Sequence, residues 1–136
     1  MGLKHILLVM VSLLALLFAG CSYYGGEQAQ QPVSQPISGS TIEVTSSGFS
    51  PNSITINSGD TVTWINKDSA PHWPASAMHP THLLYPETGG CIGSKFDACG
   101  EIPPGGSWSF TFSQKGEWKY HDHINPGSMF GTVIVN

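Results

Sequence analysis

The most constraining feature of this sequence is a period of two in hydrophobicity, which begins at Thr41 and continues to Asn136. Residues in this segment form short alternating or β-branched runs, and turn-forming stretches such as Ser50–Asn52 and Ser58–Asp60 separate them. No part of it has a convincing helical period. Short strands at this spacing predict an all-β fold, a Greek-key β-sandwich or barrel. The predicted strands lie at Ile42–Val44, Ile54–Ile56, Val62–Ile65, Trp108–Phe112, Trp118–Tyr120 and Val133–Val135.

One segment, residues 67–106, interrupts the strand pattern and predicts a long loop. Loops of this length in a compact domain are usually functional. Cys91 and Cys99 both lie in it, within a glycine-rich stretch. In an oxidising compartment such a pair predicts a disulfide that closes the loop, with a thiolate metal site as the alternative.

The histidines are concentrated in two short tracts, with His72, His79 and His82 in the first and His121 and His123 in the second. Clustered neutral imidazoles indicate a late first-row metal, and copper is favoured over zinc. A His-x-His pair in a strand places both rings on one face, so a third nitrogen from His72 would complete a tri-imidazole site. His79 and His82 are weaker candidates, which either approach the ion from a turn or order the loop.

The N-terminal residues 1–20 have the pattern of a signal peptide, with an apolar run at Ile6–Phe18 followed by Ala19-Gly20-Cys21. The apolar run is too short for a comfortable membrane span. Its small-small-Cys ending resembles a lipoprotein signal, in which Cys21 becomes a lipidated N-terminus; a plain secreted protein and an uncleaved anchor are the alternatives. We therefore expect a lipoprotein of the cell envelope, tethered to the membrane by lipid and facing the periplasm or the exterior.

Residues 21–40 are rich in Gln, Pro, Gly and Ser and predict a disordered tether, which leaves residues 41–136 as a single domain. The chain contains no arginine and has a formal net charge of −4. Nucleic acid is excluded as a partner class because phosphate neutralisation requires a basic face. The sequence also lacks a nucleophile elbow, so a non-enzymatic function is favoured.

The runs Phe49–Ile56 and Gly59–Asp68, followed by Pro71-His72, closely resemble the first half of plastocyanin-like and amicyanin-like blue copper domains. The stretches Gly116–Tyr120 and Met129–Val135 resemble the second half. The chain thus resembles a cupredoxin over the whole predicted domain. This resemblance implies the cupredoxin fold and a copper site.

The blue copper site of that family is not intact in this sequence. The counterpart of His72 is the first copper ligand, but the cysteine position is Asp122 and the second histidine position is Asn125. Without the thiolate, an ordinary blue copper centre is excluded. Asp122 remains a candidate carboxylate ligand or an acceptor for an imidazole N–H, and Met129 a candidate axial ligand or a core thioether.

The motifs His72-Trp73 and Tyr120–His123 also resemble the His-Trp and Tyr-His-x-His motifs of the N-terminal cupredoxin domain of multicopper oxidases, which contribute to a trinuclear cluster. Pro74 replaces one histidine of the first motif. Strand alternation raises a conflict, because a residue 122 that faces the former blue site would turn His121 and His123 away from it. The set His72, His121 and His123 is favoured as the primary site.

These observations favour an exported copper-binding cupredoxin that acts in copper capture, delivery or homeostasis. The alternatives are an electron carrier with an atypical copper centre, an oxidase-like enzyme whose copper cluster is completed across subunits, and a metal-free structural domain. A redox protein or a copper-transfer protein would be the partner of the copper-binding cupredoxin or of the electron carrier.

Overall fold

The computed structural model describes residues 39–136, and the predicted signal peptide, the lipidation site at Cys21 and almost all of the predicted tether lie outside them. The described residues form eight β-strands and contain no helix that is long and apolar enough to cross a membrane. The strands are β1 (Ser40–Thr45), β2 (Gly48–Ser50), β3 (Ser53–Ile56), β4 (Thr61–Asn66), β5 (Pro74–Ser76), β6 (Ser107–Thr111), β7 (Gly116–Asp122) and β8 (Phe130–Val135).

The strands are arranged in two four-stranded sheets, in the orders β2-β1-β4-β6 and β3-β8-β7-β5. Two neighbouring pairs, β1 with β4 and β3 with β8, are parallel, and the other pairs are antiparallel. The sheets enclose an aromatic core centred on Trp64, whose ring centroid lies 5.0 Å from that of Trp108 and 5.4 Å from that of Tyr120. The predicted all-β sandwich is confirmed.

Two strands, β2 and β5, were not among the predicted ones. Strand β5 has the sequence Pro-Ala-Ser and is fully buried, so it has no alternation of apolar and polar residues to reveal it. It pairs antiparallel with the end of β7, with Ala75 opposite His121 and Pro74 opposite Asp122. Strand β5 therefore ties the start of the predicted loop to the histidine-containing strand.

The remainder of the long loop folds back onto the sandwich. Tyr85 and Phe96 are buried in the core, where their ring centroids lie 6.0 Å apart. Cys91 and Cys99 form a disulfide, which confirms the predicted pair. Gly93 allows a close approach within the loop, because a Cβ at this position would collide with the carbonyl oxygen of Thr81. These contacts hold the loop against the core.

Candidate metal centre

Four imidazoles converge where the long loop meets the end of β7. His79 and His82 come from the loop. His121 belongs to β7, and His123 directly follows that strand. Each of the four offers one ring nitrogen, and these four nitrogens all lie within 4.8 Å of one another. We refer to these four residues as the histidine cluster.

The spacing of the four rings is not that of a regular tetrahedron. Four of the six ring-centroid distances join a loop histidine to a strand histidine, and they range from 4.8 Å to 5.5 Å. The two remaining separations are longer, 6.3 Å between His79 and His82 and 6.2 Å between His121 and His123. All six would be equal in a tetrahedron, whereas a square has four short sides and two long diagonals. The cluster is therefore flattened towards a square, with the two loop rings opposite each other and the two strand rings opposite each other.

His121 is the member of the cluster whose ring has no hydrogen bond among the described residues. Its side chain is 1% exposed, and neither ring nitrogen has a hydrogen-bond partner within residues 39–136. A buried polar atom without a partner costs about 1–3 kcal/mol. Burial, followed by the nearby rings of His82, His79 and His123, lowers the pKa of His121 to about 4. The ring is thus neutral at neutral pH and can offer a lone pair, and a metal ion in the cluster would satisfy it.

His82 is oriented by a buried carboxylate. Its Nδ1 lies 2.6 Å from Oδ2 of Asp97, and its Nε2 lies 2.9 Å from Nδ1 of His123. The backbone φ of His82 is 51°, a left-handed conformation that is uncommon for a residue other than glycine. Such conformations persist where the surroundings over-determine them, and they concentrate at functional sites. His82 therefore presents Nε2 to the cluster in a fixed orientation.

The other two members of the cluster differ in exposure. His123 is half-buried, its backbone N–H donates to the carbonyl oxygen of Trp73 at 2.7 Å, and its ring packs 4.6 Å from the Trp73 ring. Burial and then the neighbouring imidazoles lower the pKa of His123. His79 is exposed to solvent. The cluster thus has one accessible side, at His79.

The opposite face of β7 carries Asp122, at the position of the blue-site cysteine. Oδ2 of Asp122 lies 2.8 Å from Nδ1 of His72 and accepts from the Asn125 amide at 2.7 Å, while Oδ1 accepts from the Trp73 backbone N–H at 2.8 Å. Nε2 of His72 lies 3.1 Å from Oδ2 of Asp68. Burial alone would raise the pKa of Asp122, but the hydrogen bonds from His72, Trp73 and Asn125 outweigh it and lower that pKa. We refer to this group as the Asp122 network.

The structure divides the five predicted histidines between two places. His79, His82, His121 and His123 lie together, but His72 lies in the Asp122 network and not in the cluster. The physical reason is strand alternation, since residues 121 and 123 face away from residue 122. Met129 is buried in the core cluster and its carbonyl oxygen accepts from the Asp122 backbone N–H. Which of these residues bind a metal stays a prediction.

Sequence reasoning missed Asp97, which contacts His82 directly. Asp97 lies within the disulfide-closed stretch and has no neighbour in the sequence that marks it as a histidine partner. The only available signal was an acidic residue between two cysteines in a histidine-containing loop. The two cysteines of the alternative thiolate site, Cys91 and Cys99, are joined in the disulfide, and Asp97 lies close to them.

Comparison with known proteins identifies relatives of this fold. The family model for copper binding proteins of the plastocyanin/azurin family matches residues 39–136. No curated protein sequence matches the chain significantly.

Three solved structures illustrate the likeness. A purple cupredoxin from Nitrosopumilus maritimus has a TM-score of 0.57 and 24% identity, covering 71% of this chain and 99% of its own. A Cu(I) form of an amicyanin mutant has a TM-score of 0.55 and 25% identity, covering 72% of this chain and 82% of its own. Amicyanin from Paracoccus versutus has a TM-score of 0.55 and 22% identity, covering 76% and 86%. These likenesses support the fold.

Proposed function

Because the chain belongs to the plastocyanin/azurin family of copper-binding proteins, we propose that it binds one copper ion through the histidine cluster and serves in copper capture or delivery. The observation that carries this proposal is His121, whose two buried ring nitrogens have no partner among the described residues. Three further imidazoles surround it at ring separations of 5.0 Å to 6.2 Å. A metal ion bound to one of these nitrogens would remove the cost of burying that nitrogen unpaired.

Copper fits this donor set better than zinc does. The order of divalent affinities places Cu(II) highest for nitrogen ligands, and Cu(II) favours tetragonal geometry whereas zinc favours tetrahedral geometry. The flattened arrangement of the four rings therefore favours Cu(II).

Capture or delivery suits the cluster better than rapid electron transfer does. Blue electron-transfer centres use a cysteine thiolate, and the corresponding position here is Asp122. The exposed ring of His79 offers a route by which copper enters and leaves. Electron transfer is the second candidate, because the fold of an amicyanin mutant accommodates Cu(I). A partner protein would receive the copper in the first case and an electron in the second.

The proposed location is the cell envelope. It is supported by the signal-like residues 1–20 and by the small-small-Cys ending at Cys21, which together fit a lipid-anchored protein. The disulfide between Cys91 and Cys99 fits an oxidising compartment. Copper handling in that compartment would be independent of the cytoplasmic thiol pool.

A copper titration of the mature protein tests the proposal. We expect about one Cu(II) per chain, with a weak visible spectrum and no intense band near about 600 nm, because no thiolate is available. His121→Ala should weaken copper binding by at least about tenfold. The matched control is His72→Gln, which removes the one described histidine outside the cluster and keeps an N–H donor for Asp122. Loss of copper in His72→Gln with full retention in His121→Ala would overturn the assignment.

A further inference from the structure

The most unusual charged group near the histidine cluster is the carboxylate of Asp97. Its side chain is completely buried, and among residues 39–136 no lysine forms an ion pair with it. Burying a carboxylate is costly unless hydrogen bonds or a counter-charge compensate. A group placed this way at the edge of a metal site is expected to serve that site.

Three donors surround this carboxylate. Oδ2 accepts from Nδ1 of His82 at 2.6 Å, while Oδ1 accepts from the Trp73 indole N–H at 2.7 Å and from the Cys99 backbone N–H at 2.8 Å. Two of these donors belong to residues that touch the cluster: His82 is a member, and Trp73 packs on the ring of His123. Asp97 therefore contacts His82 directly and is linked to His123 through Trp73.

The contact with His82 decides which nitrogen faces the metal. A carboxylate that accepts from Nδ1–H holds the ring in the tautomer whose lone pair is on Nε2. Nε2 is the nitrogen that lies 2.9 Å from Nδ1 of His123, inside the cluster. Without Asp97, the ring could carry its proton on Nε2 or rotate, and either change would remove a donor.

The loop geometry holds Asp97 in turn. The Ala98 N–H donates to the Pro74 carbonyl oxygen at 3.0 Å, and Asp97 forms an isolated bridge with Ala75 of strand β5. Cys99, which donates to the carboxylate, is joined covalently to Cys91. Asp97 is thus fixed on one side by β5 and on the other by the disulfide.

We propose that Asp97 is the positioning residue of the histidine cluster, and that the disulfide-closed loop holds its carboxylate against His82 and Trp73. This inference rests on the proposed copper function. It adds a role for the carboxylate charge, because four neutral imidazoles leave the charge of Cu(II) uncompensated and Asp97 supplies one buried negative charge beside them. Asp97 thereby favours Cu(II) over Cu(I) in this site.

The decisive variant is Asp97→Asn in the mature, disulfide-bonded protein, with CuCl₂ as the probe. We expect a fall of about 10- to 100-fold in Cu(II) affinity, an altered electron paramagnetic resonance spectrum and a higher Cu(II)/Cu(I) reduction potential. Asp97→Glu keeps the negative charge, so its reduction potential should return closer to the wild-type value than its Cu(II) affinity does. The matched control is Glu87→Gln, a hydrogen-bonded carboxylate of the same loop that contacts none of the four histidines; it should leave all three readouts unchanged.

A second variant covers the case in which Asp97→Asn does not fold. Trp73→Phe keeps an aromatic ring beside His123 but removes the indole N–H that binds Asp97, so it should change the resonance spectrum and lower the affinity several-fold. Wild-type protein whose disulfide has been reduced and alkylated should shift in the same direction.

The outcomes separate this inference from the function on which it rests. If wild-type protein binds Cu(II) and a folded Asp97→Asn protein binds it equally well with an unchanged spectrum and potential, the positioning role is overturned. If Asp97→Asn does not fold, unchanged copper binding and spectrum in Trp73→Phe overturn it instead. If wild-type protein itself does not bind copper, it is the proposed function that fails.

Discussion

Similar buried residues lie at the two faces of β7 near its end, but they differ in whether their polar atoms have hydrogen-bond partners. On one face, His72 and Asp122 are buried, and both ring nitrogens and both carboxylate oxygens have partners. On the other face, His121 is equally buried and neither ring nitrogen has a partner in the described part of the chain. Natural proteins rarely leave buried polar atoms unpaired. The unpaired face, more than the histidine count, indicates where a ligand belongs.

The difference also concerns charge. His72 lies between the carboxylates of Asp68 and Asp122, so each of its ring nitrogens already faces a carboxylate oxygen. Within residues 39–136, the histidine cluster has four imidazoles and one contacting carboxylate, which faces the outer nitrogen of His82. A cation placed among those rings could be bound by the lone pair that each neutral imidazole offers. The face with the predicted counterpart of the blue copper site is thus occupied by a hydrogen-bonded network, and the histidine cluster lies on the other face of the strand.

The largest effect should come from Asp122→Ala. The change leaves His72, Asn125 and the Trp73 N–H without their acceptor, and breaking a buried pair of this kind costs about 3–5 kcal/mol. Copper affinity should change little, because Asp122 faces away from the cluster. Urea unfolding and a copper titration of the same sample measure both quantities. An Asp122→Ala protein that is fully stable but unable to bind copper would reverse the roles assigned to the two faces.

A smaller effect is the pH dependence of the metal-free protein, which should separate the two faces. The pKa of His121 falls from 6.5 to about 4 on folding, so the unfolded chain binds more protons between these pH values. Stability should therefore fall by on the order of 3 kcal/mol as the pH decreases through that window. The pKa of Asp122 is lowered from 3.8, so its contribution is present above that pH and is lost only below it.

Two variants assign these pH windows in unfolding measurements on the metal-free protein. His121→Asn should reduce the dependence in the upper window, to which the lowered pKa of His123 also contributes, and Asp122→Asn should reduce it in the lower one. A stability that does not change between about pH 7 and pH 5 in the wild-type protein would contradict the unpaired, neutral state of His121.

The smallest effect should come from His79→Ala. This ring is exposed, so its loss leaves no buried cavity and should not change the stability of the metal-free protein measurably. Copper affinity should decrease by about tenfold, less than for His121→Ala, since water can occupy the vacated position at the accessible side. Isothermal titration with Cu(II) measures the difference. A His79→Ala protein that loses copper completely would show that the exposed ring is as essential as the buried one.

Much of the fold was predictable because its signals are local. Alternation located six strands, and the segments that resemble plastocyanin and amicyanin indicated the sandwich that the structure has. The predicted Cys91–Cys99 disulfide is present as well. The strand β5 was not predictable, because its three buried residues, Pro74–Ser76, have no pattern of their own. It forms only because the end of β7 offers a free edge for pairing.

The sequence by itself determined that His121 and His123 share one face of a strand and that Asp122 lies on the other, because alternation depends only on the local backbone. It could not determine which other histidines meet that face. That choice depends on the path of the long loop, which Tyr85 and Phe96 anchor in the core and Asp97 anchors at His82. These contacts join residues far apart in the chain and leave no periodic signal. Only the tertiary structure therefore grouped His79 and His82 with the strand pair and left His72 with Asp122.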